Sequence, residues 1–184
     1  PMISAAAIFS NLATVIQIGL ILTMVDADLL NSLWAPLLFG LIATLLYGAC
    51  LMFPDPTRGS RSKPVDTAGA FNLKLAVIVT LTLTGITFVS SAMLSQFGQA
   101  GLWLTAMLSG FADAHSATAS IASLAKAGQV PYDSIAVPAL IAVSSNSVSK
   151  CVVAWVSGGR RFAACVIPGQ VLLTLAMWAG TVLF

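Results

Sequence analysis

Five stretches of this chain, 5–25, 33–53, 73–94, 135–156 and 162–184, are almost free of charge, with only Lys74 and Lys150 inside them. Each matches the roughly 20 residues that an α-helix needs to cross a hydrocarbon core about 30 Å thick. In lipid the backbone must satisfy its own hydrogen bonds, so such runs fold as helices. Only 8% of the residues are charged, against about 25% in a soluble domain. The expected fold class is therefore an all-α integral membrane protein, a single polytopic domain over residues 1–184.

The connecting segments bear on topology. Arg58, Arg61 and Lys63 sit among Pro54, Pro56 and Pro64, and Gly158-Gly159-Arg160-Arg161 is a second basic segment. Asp26 and Asp28 mark an acidic one. If both basic segments are cytoplasmic, the chain between them crosses an even number of times. Segments 73–94 and 135–156 supply two crossings, so 101–127 crosses none and is expected to be a re-entrant or broken helix hairpin. Gly110 is read there as a helix stop, Asp113 as the N-cap of a new helix with Ser116 at its third position, and Gly128 and Pro131 as its end. The alternative is six full spans, with Arg160 and Arg161 outside.

The same segment carries the chain's only histidine, in Ser109-Gly110-Phe111-Ala112-Asp113-Ala114-His115-Ser116. Ionisable side chains are expensive in a bilayer. A carboxylate two residues from an imidazole suits a proton or cation site, and Asp113 can cap a helix and face an ion at once. The structural alternative is a capping aspartate beside a backbone-bonded histidine. Ser116, Thr118 and Ser120 follow on an Ala/Ser/Thr helix, where small side chains permit close packing and hydroxyls can line a polar path. Asn146 and Lys150 lie at i and i+4 with Ser149 beside them. Lys150 is expected either to snorkel or to form an interior ion pair with Asp113.

Asn11 and Gln17 are six residues apart and do not share a helix face; hydrogen bonding between helices is the simpler reading for both. Asn11 nevertheless completes the candidate ion-binding set of Asp113, His115, Ser116, Thr118, Asn146, Ser149 and Lys150. Asp113 and His115 are the only candidates for a metal, too few for a closed zinc site. Cys50, Cys151 and Cys165 lack metal-site spacing and read as packing residues. Trp34, Trp103, Trp155 and Trp178 sit near segment ends, as interfacial anchors do. No enzyme motif or phosphate loop appears, no cofactor is expected, and a net charge of +2 gives no nucleic-acid signal. The chain begins at Pro1 with no signal peptide, so a preceding segment is expected. Ser10-Asn11 with Ala35-Pro36 and Ser145-Asn146 with Ile167-Pro168 hint at an inverted repeat around a broken helix.

Three motifs in order, the Ser109–Ser116 stretch, Ser145-Asn146-Ser147-Val148-Ser149-Lys150 and Gly158-Gly159-Arg160-Arg161, resemble a bacterial membrane domain of unknown function that commonly follows an MgtC/SapB-type domain. The resemblance covers nearly the whole chain, including Phe71-Asn72-Leu73-Lys74. Many members carry a second acid at the position of His115; this chain resembles the subgroup with Asp-Ala-His. The resemblance implies a bacterial cytoplasmic (inner) membrane location and an MgtC-like half ahead of Pro1.

Two functions are expected from these residues. The first is a transporter or channel for a small ion, with Asp113 and His115 at a helix break, Asn146 as neutral ligand and Lys150 as counter-charge. The second is a non-transporting module that binds and regulates another membrane protein. A homo-oligomer is expected from the small-residue faces.

Overall fold

A computed structural model describes residues 2–52 and 73–183, with the side chains of some helical residues left out. The basic segment with Arg58, Arg61 and Lys63 lies outside the described residues. Those described form helices α1 (Met2–Val25), α2 (Trp34–Met52), α3 (Leu73–Ala112), α4 (Ala114–Lys126) and α5 (Ala136–Leu183), with short 3-10 turns at Ala27–Ser32 and Tyr132–Ser134 and no strand among them. Three stretches are long and apolar enough to cross a membrane: Trp34–Leu51, Tyr132–Val156 and Phe162–Leu183. Phe9–Val25 and Ala100–Ala112 are shorter apolar helices.

Two of these helices reverse direction. Gly98 has φ 55° and ψ −134°, a backbone that a Cβ disfavours. Beyond it the chain turns back so sharply that a Cβ on Gly101 would lie 2.2 Å from the Met93 carbonyl oxygen. A straight helix would separate those residues by about 12 Å. α5 is helical throughout, yet Lys150 and Gln170 both donate to Asn11 Oδ1, at 3.0 and 2.9 Å. Trp178 Nε1 donates to Ser144 Oγ at 3.1 Å. Both pairings are symmetric about Arg160 and Arg161, so the basic segment is the turn of a helical hairpin and the two arms of α5 run antiparallel. Trp178 is therefore not the interfacial anchor expected of it. Its indole joins the two arms, while Trp34, Trp103 and Trp155 are exposed.

The bundle is apolar on its surface as well as in its core, and the core also takes in polar side chains. Ile16, Leu20, Leu46, Val153 and Trp155 face outward, whereas Asn11, Thr14, Ser109, Thr118 and Gln170 are buried. Cys50 also faces outward and is not a packing residue; Cys151 and Cys165 are half-buried, and all three are free. Gln17 is exposed and bonds to no other helix among the described residues, where Asn11 does.

One end of the bundle is tied by polar contacts. Lys126 donates its ammonium to the Val25 carbonyl, a cation on a helix C-terminus. Tyr132 Oη donates to Asp26 Oδ2 at 3.0 Å, and Ser32 Oγ donates to the Tyr132 carbonyl at 2.8 Å. The Asp26 carboxyl is held below its ordinary value of 3.8, first by the Asp28 backbone N–H and then by the Tyr132 hydroxyl.

Candidate functional site

The α3–α4 junction is one residue wide. Asp113 has φ −161° and ψ 120°, extended backbone between two helices. Its Oδ1 accepts the His115 backbone N–H at 3.1 Å, and its Oδ2 accepts the Ser116 backbone N–H at 2.9 Å and the Ser116 hydroxyl at 2.6 Å. This is an N-cap satisfying two of the otherwise orphan donors of α4. The far end closes as a Schellman motif. Gly128 N–H bonds to Ala125 O, Gln129 N–H bonds to Leu124 O, and Gly128 takes φ 72°.

Gly110 is not the stop. The helix continues through it to Ala112, and its missing side chain serves packing instead. A Cβ there would lie 2.4 Å from the Ala142 carbonyl oxygen. α5 thus presses directly on the backbone of α3 just before the break. Two turns later, Ser149 Oγ donates at 2.9 Å to the Phe111 carbonyl, which the ending helix leaves without its own partner.

The arms around Asp113 fold back on one another rather than running end to end. A cleft of about 380 Å³ lies between them, and its lining pairs residues symmetrically about Asp113: Leu102 with Leu124, Ala106 with Ser120, and Ser109 with Ala117. Segment 101–127 is thus a helical hairpin about Asp113. The hydroxyls of Thr105, Ser109, Ser120 and Ser123 line the cleft. Away from the cleft, Ala114, Thr118, Ala122 and Ala125 of α4 are buried. The small-residue helix packs on one side and offers hydroxyls on the other.

His115 stacks its polar atoms on the same carboxylate. Its Nδ1 lies 2.7 Å from Asp113 Oδ1, with 29% of each side chain exposed. Its Nε2 is buried and has no hydrogen-bond partner. With Nδ1 turned to the carboxylate, Nε2 is the nitrogen left free to take a proton or a ligand. Among the described residues no group of three metal-ligating side chains assembles.

Lys150 departs from expectation. It forms no salt bridge with Asp113; its Nζ donates to Asn11 Oδ1 at 3.0 Å and Thr14 Oγ1 at 3.2 Å. Asn146 is half-buried and makes no side-chain hydrogen bond among the described residues; it lies one turn from both Ala142 and Lys150, on the stripe of α5 that meets the break. Thr118 is fully buried and donates to the Ala114 carbonyl at 2.8 Å, so it supports α4 and stands apart from the site. Gln170 was not among the expected residues. It is 2% exposed, donates to Asn11, and leaves its Oε1 without a partner. As the one amide of the last apolar run, it carried the same signal as Asn11.

Asn11, Asp113 and Lys150 share a depth. Asn11 lies fourteen residues from Val25, Asp113 thirteen from Lys126 and Lys150 fourteen from Ala136, where α5 starts, about 20 Å along each helix at 1.5 Å per residue. Two helices and a hairpin tip therefore bring their polar residues to one level.

The family model described as a domain of unknown function, DUF4010, matches residues 1–158. The chain belongs to the DUF4010 family. No curated protein and no solved structure matches it. Asn11, Asp113, His115, Asn146 and Lys150 all fall inside the DUF4010 match, and Gln170 falls beyond it.

Proposed function

We propose that this chain conducts a small ion past the Asp113–His115 pair at the tip of a re-entrant hairpin. The observation that carries the reading is the His115 Nε2: a buried, unpartnered nitrogen on an imidazole oriented by a carboxylate, at a helix break. Ionisable groups at membrane depth mark ion and proton paths, and broken helices aim their ends at such ions. Proton coupling through His115 follows from the same arrangement.

The topology that goes with it has five spans and one hairpin. α1 ends where α2 begins, so Met52 stands at the opposite end. α5 reaches its turn at Arg160 and Arg161 at that same opposite end. The positive-inside rule favours that turn on the cytoplasmic side of a bacterial membrane. The hairpin enters from the other face, and its tip stands about 20 Å deep in a core of about 30 Å. The pairs α1–α2 and α5 with its two arms then have opposed orientations, as an inverted repeat requires.

The test is flux. Protein in liposomes is screened for H⁺, Na⁺, K⁺ and Mg²⁺ movement, with Asp113→Asn and His115→Ala beside the parent chain. Flux for one ion, lost in either folded variant, supports the reading. No flux for any of the four shifts it to a module that binds and regulates another membrane protein, the MgtC-like half expected ahead of Pro1 among them.

A further inference from the structure

Lys150 is a cation in the interior of the bundle whose hydrogen-bond partners are all neutral. Asn11 on α1 is 1% exposed, Thr14 one turn later is 4% exposed, and Gln170 on the returning arm of α5 is 2% exposed. The Lys150 ammonium donates to the first two, and Gln170 donates to the same Asn11 oxygen. No carboxylate lies within 4.0 Å of Lys150 among the described residues. The Gln170 Oε1 is a buried acceptor with nothing to accept from. Convergent neutral oxygens around one positive charge are how a protein replaces a cation's hydration shell.

We propose that Asn11, Thr14 and Gln170 form a binding site for a small monovalent cation, and that the Lys150 ammonium is its tethered resident. The donor set fixes the class. The groups that touch the ammonium are an amide oxygen at 3.0 Å and a hydroxyl at 3.2 Å, with the Gln170 amide bonded to the same Asn11 oxygen, and none is a carboxylate of the kind that holds Mg²⁺ and Ca²⁺. Withdrawal of the lysine head leaves the cradle for a free ion of similar size, such as K⁺ or a primary ammonium. The site is separate from the Asp113–His115 pair, and it stands whether or not that pair conducts.

The experiment measures binding without flux. Lys150→Ala and the parent chain, each purified in detergent, are unfolded by heat in methylammonium, potassium or choline chloride at equal ionic strength. The cradle predicts that methylammonium or K⁺ raises the midpoint of Lys150→Ala by about 3 °C, saturably, over choline, with no such rise in the parent. If Lys150→Ala folds only when one of these cations is present, that is the same result in stronger form. Lys150→Met, whose stem fills the space, must not respond. A Lys150→Ala protein indifferent to the cation, or a parent or Lys150→Met protein that responds as strongly, overturns the proposal.

Discussion

Ser116 gives Asp113 Oδ2 both its backbone N–H and its hydroxyl, at 2.9 and 2.6 Å. Oδ2 is thereby spent on holding the start of α4, whereas Oδ1 both caps the His115 backbone N–H and orients its ring. Structure and chemistry at the hairpin tip meet on one residue, and substitution can separate the cap from the charge. Asp113→Ala removes both, and loss of an N-cap costs about 1–2 kcal/mol. Asp113→Asn keeps an acceptor for the cap and loses the charge. Denaturant unfolding is expected to rank the parent and Asp113→Asn close together and Asp113→Ala clearly below.

Two glycines in this region fail for different reasons when given a side chain. Gly110→Ala drives a Cβ into the Ala142 carbonyl of α5, an overpacking expected to cost about 1–3 kcal/mol. Gly128→Ala meets nothing within 4 Å but must hold φ 72°, at about 1–2 kcal/mol. Gly128→Asn tolerates that backbone and should recover most of the loss, whereas Gly110→Asn should be worse than Gly110→Ala. Thermal midpoints of the four variants distinguish contact from conformation.

The Asp26–Tyr132 contact gives a pH signature. The Asp26 carboxyl is held down in the folded chain by Asp28 N–H and Tyr132 Oη. A depressed carboxylate stabilises the fold above its unfolded value, and that contribution is lost as pH falls through the folded one. The window therefore lies below about pH 4. Tyr132→Phe removes the second cause, so its midpoint should fall less steeply than the parent's between pH 5 and pH 3. Equal slopes would assign the acid response elsewhere.

The hairpin of α5 predicts proximity across its turn. Ser144→Cys and Trp178→Cys occupy positions whose side chains now share a hydrogen bond. With Cys50, Cys151 and Cys165 changed to Ala, a short bifunctional thiol reagent of about the indole's length should bridge the pair, and Ser144→Cys with Leu183→Cys should not be bridged.

Local chemistry was readable in the residue order, and long-range contact was not. The break at Asp113, the third-position Ser116 and the Gly128 stop are all determined within one turn of helix, so the sequence fixes them by capping alone. Gly110 was misread because a helix stop and a close helix contact call for the same residue; only the position of Ala142 decides between them. The residue order leaves Lys150 either to snorkel or to pair with Asp113; its reach is set by α1, which places Asn11 and Thr14 under the ammonium. Gln170 had the polar-in-apolar signal of Asn11 and needed the turn at Arg160 and Arg161 to bring it home.

Water at the hairpin decides the central claim. Ser120 lines the cleft on the way to Asp113. In a chain with its three native cysteines changed to Ala, Ser120→Cys in sealed vesicles of known orientation is exposed to a membrane-impermeant thiol reagent from each side. An ion path predicts reaction from the face bearing Asp26 and Tyr132 and none from the face bearing Arg160. Protection from both faces in the folded protein would contradict it, leaving α4 a dry packing helix.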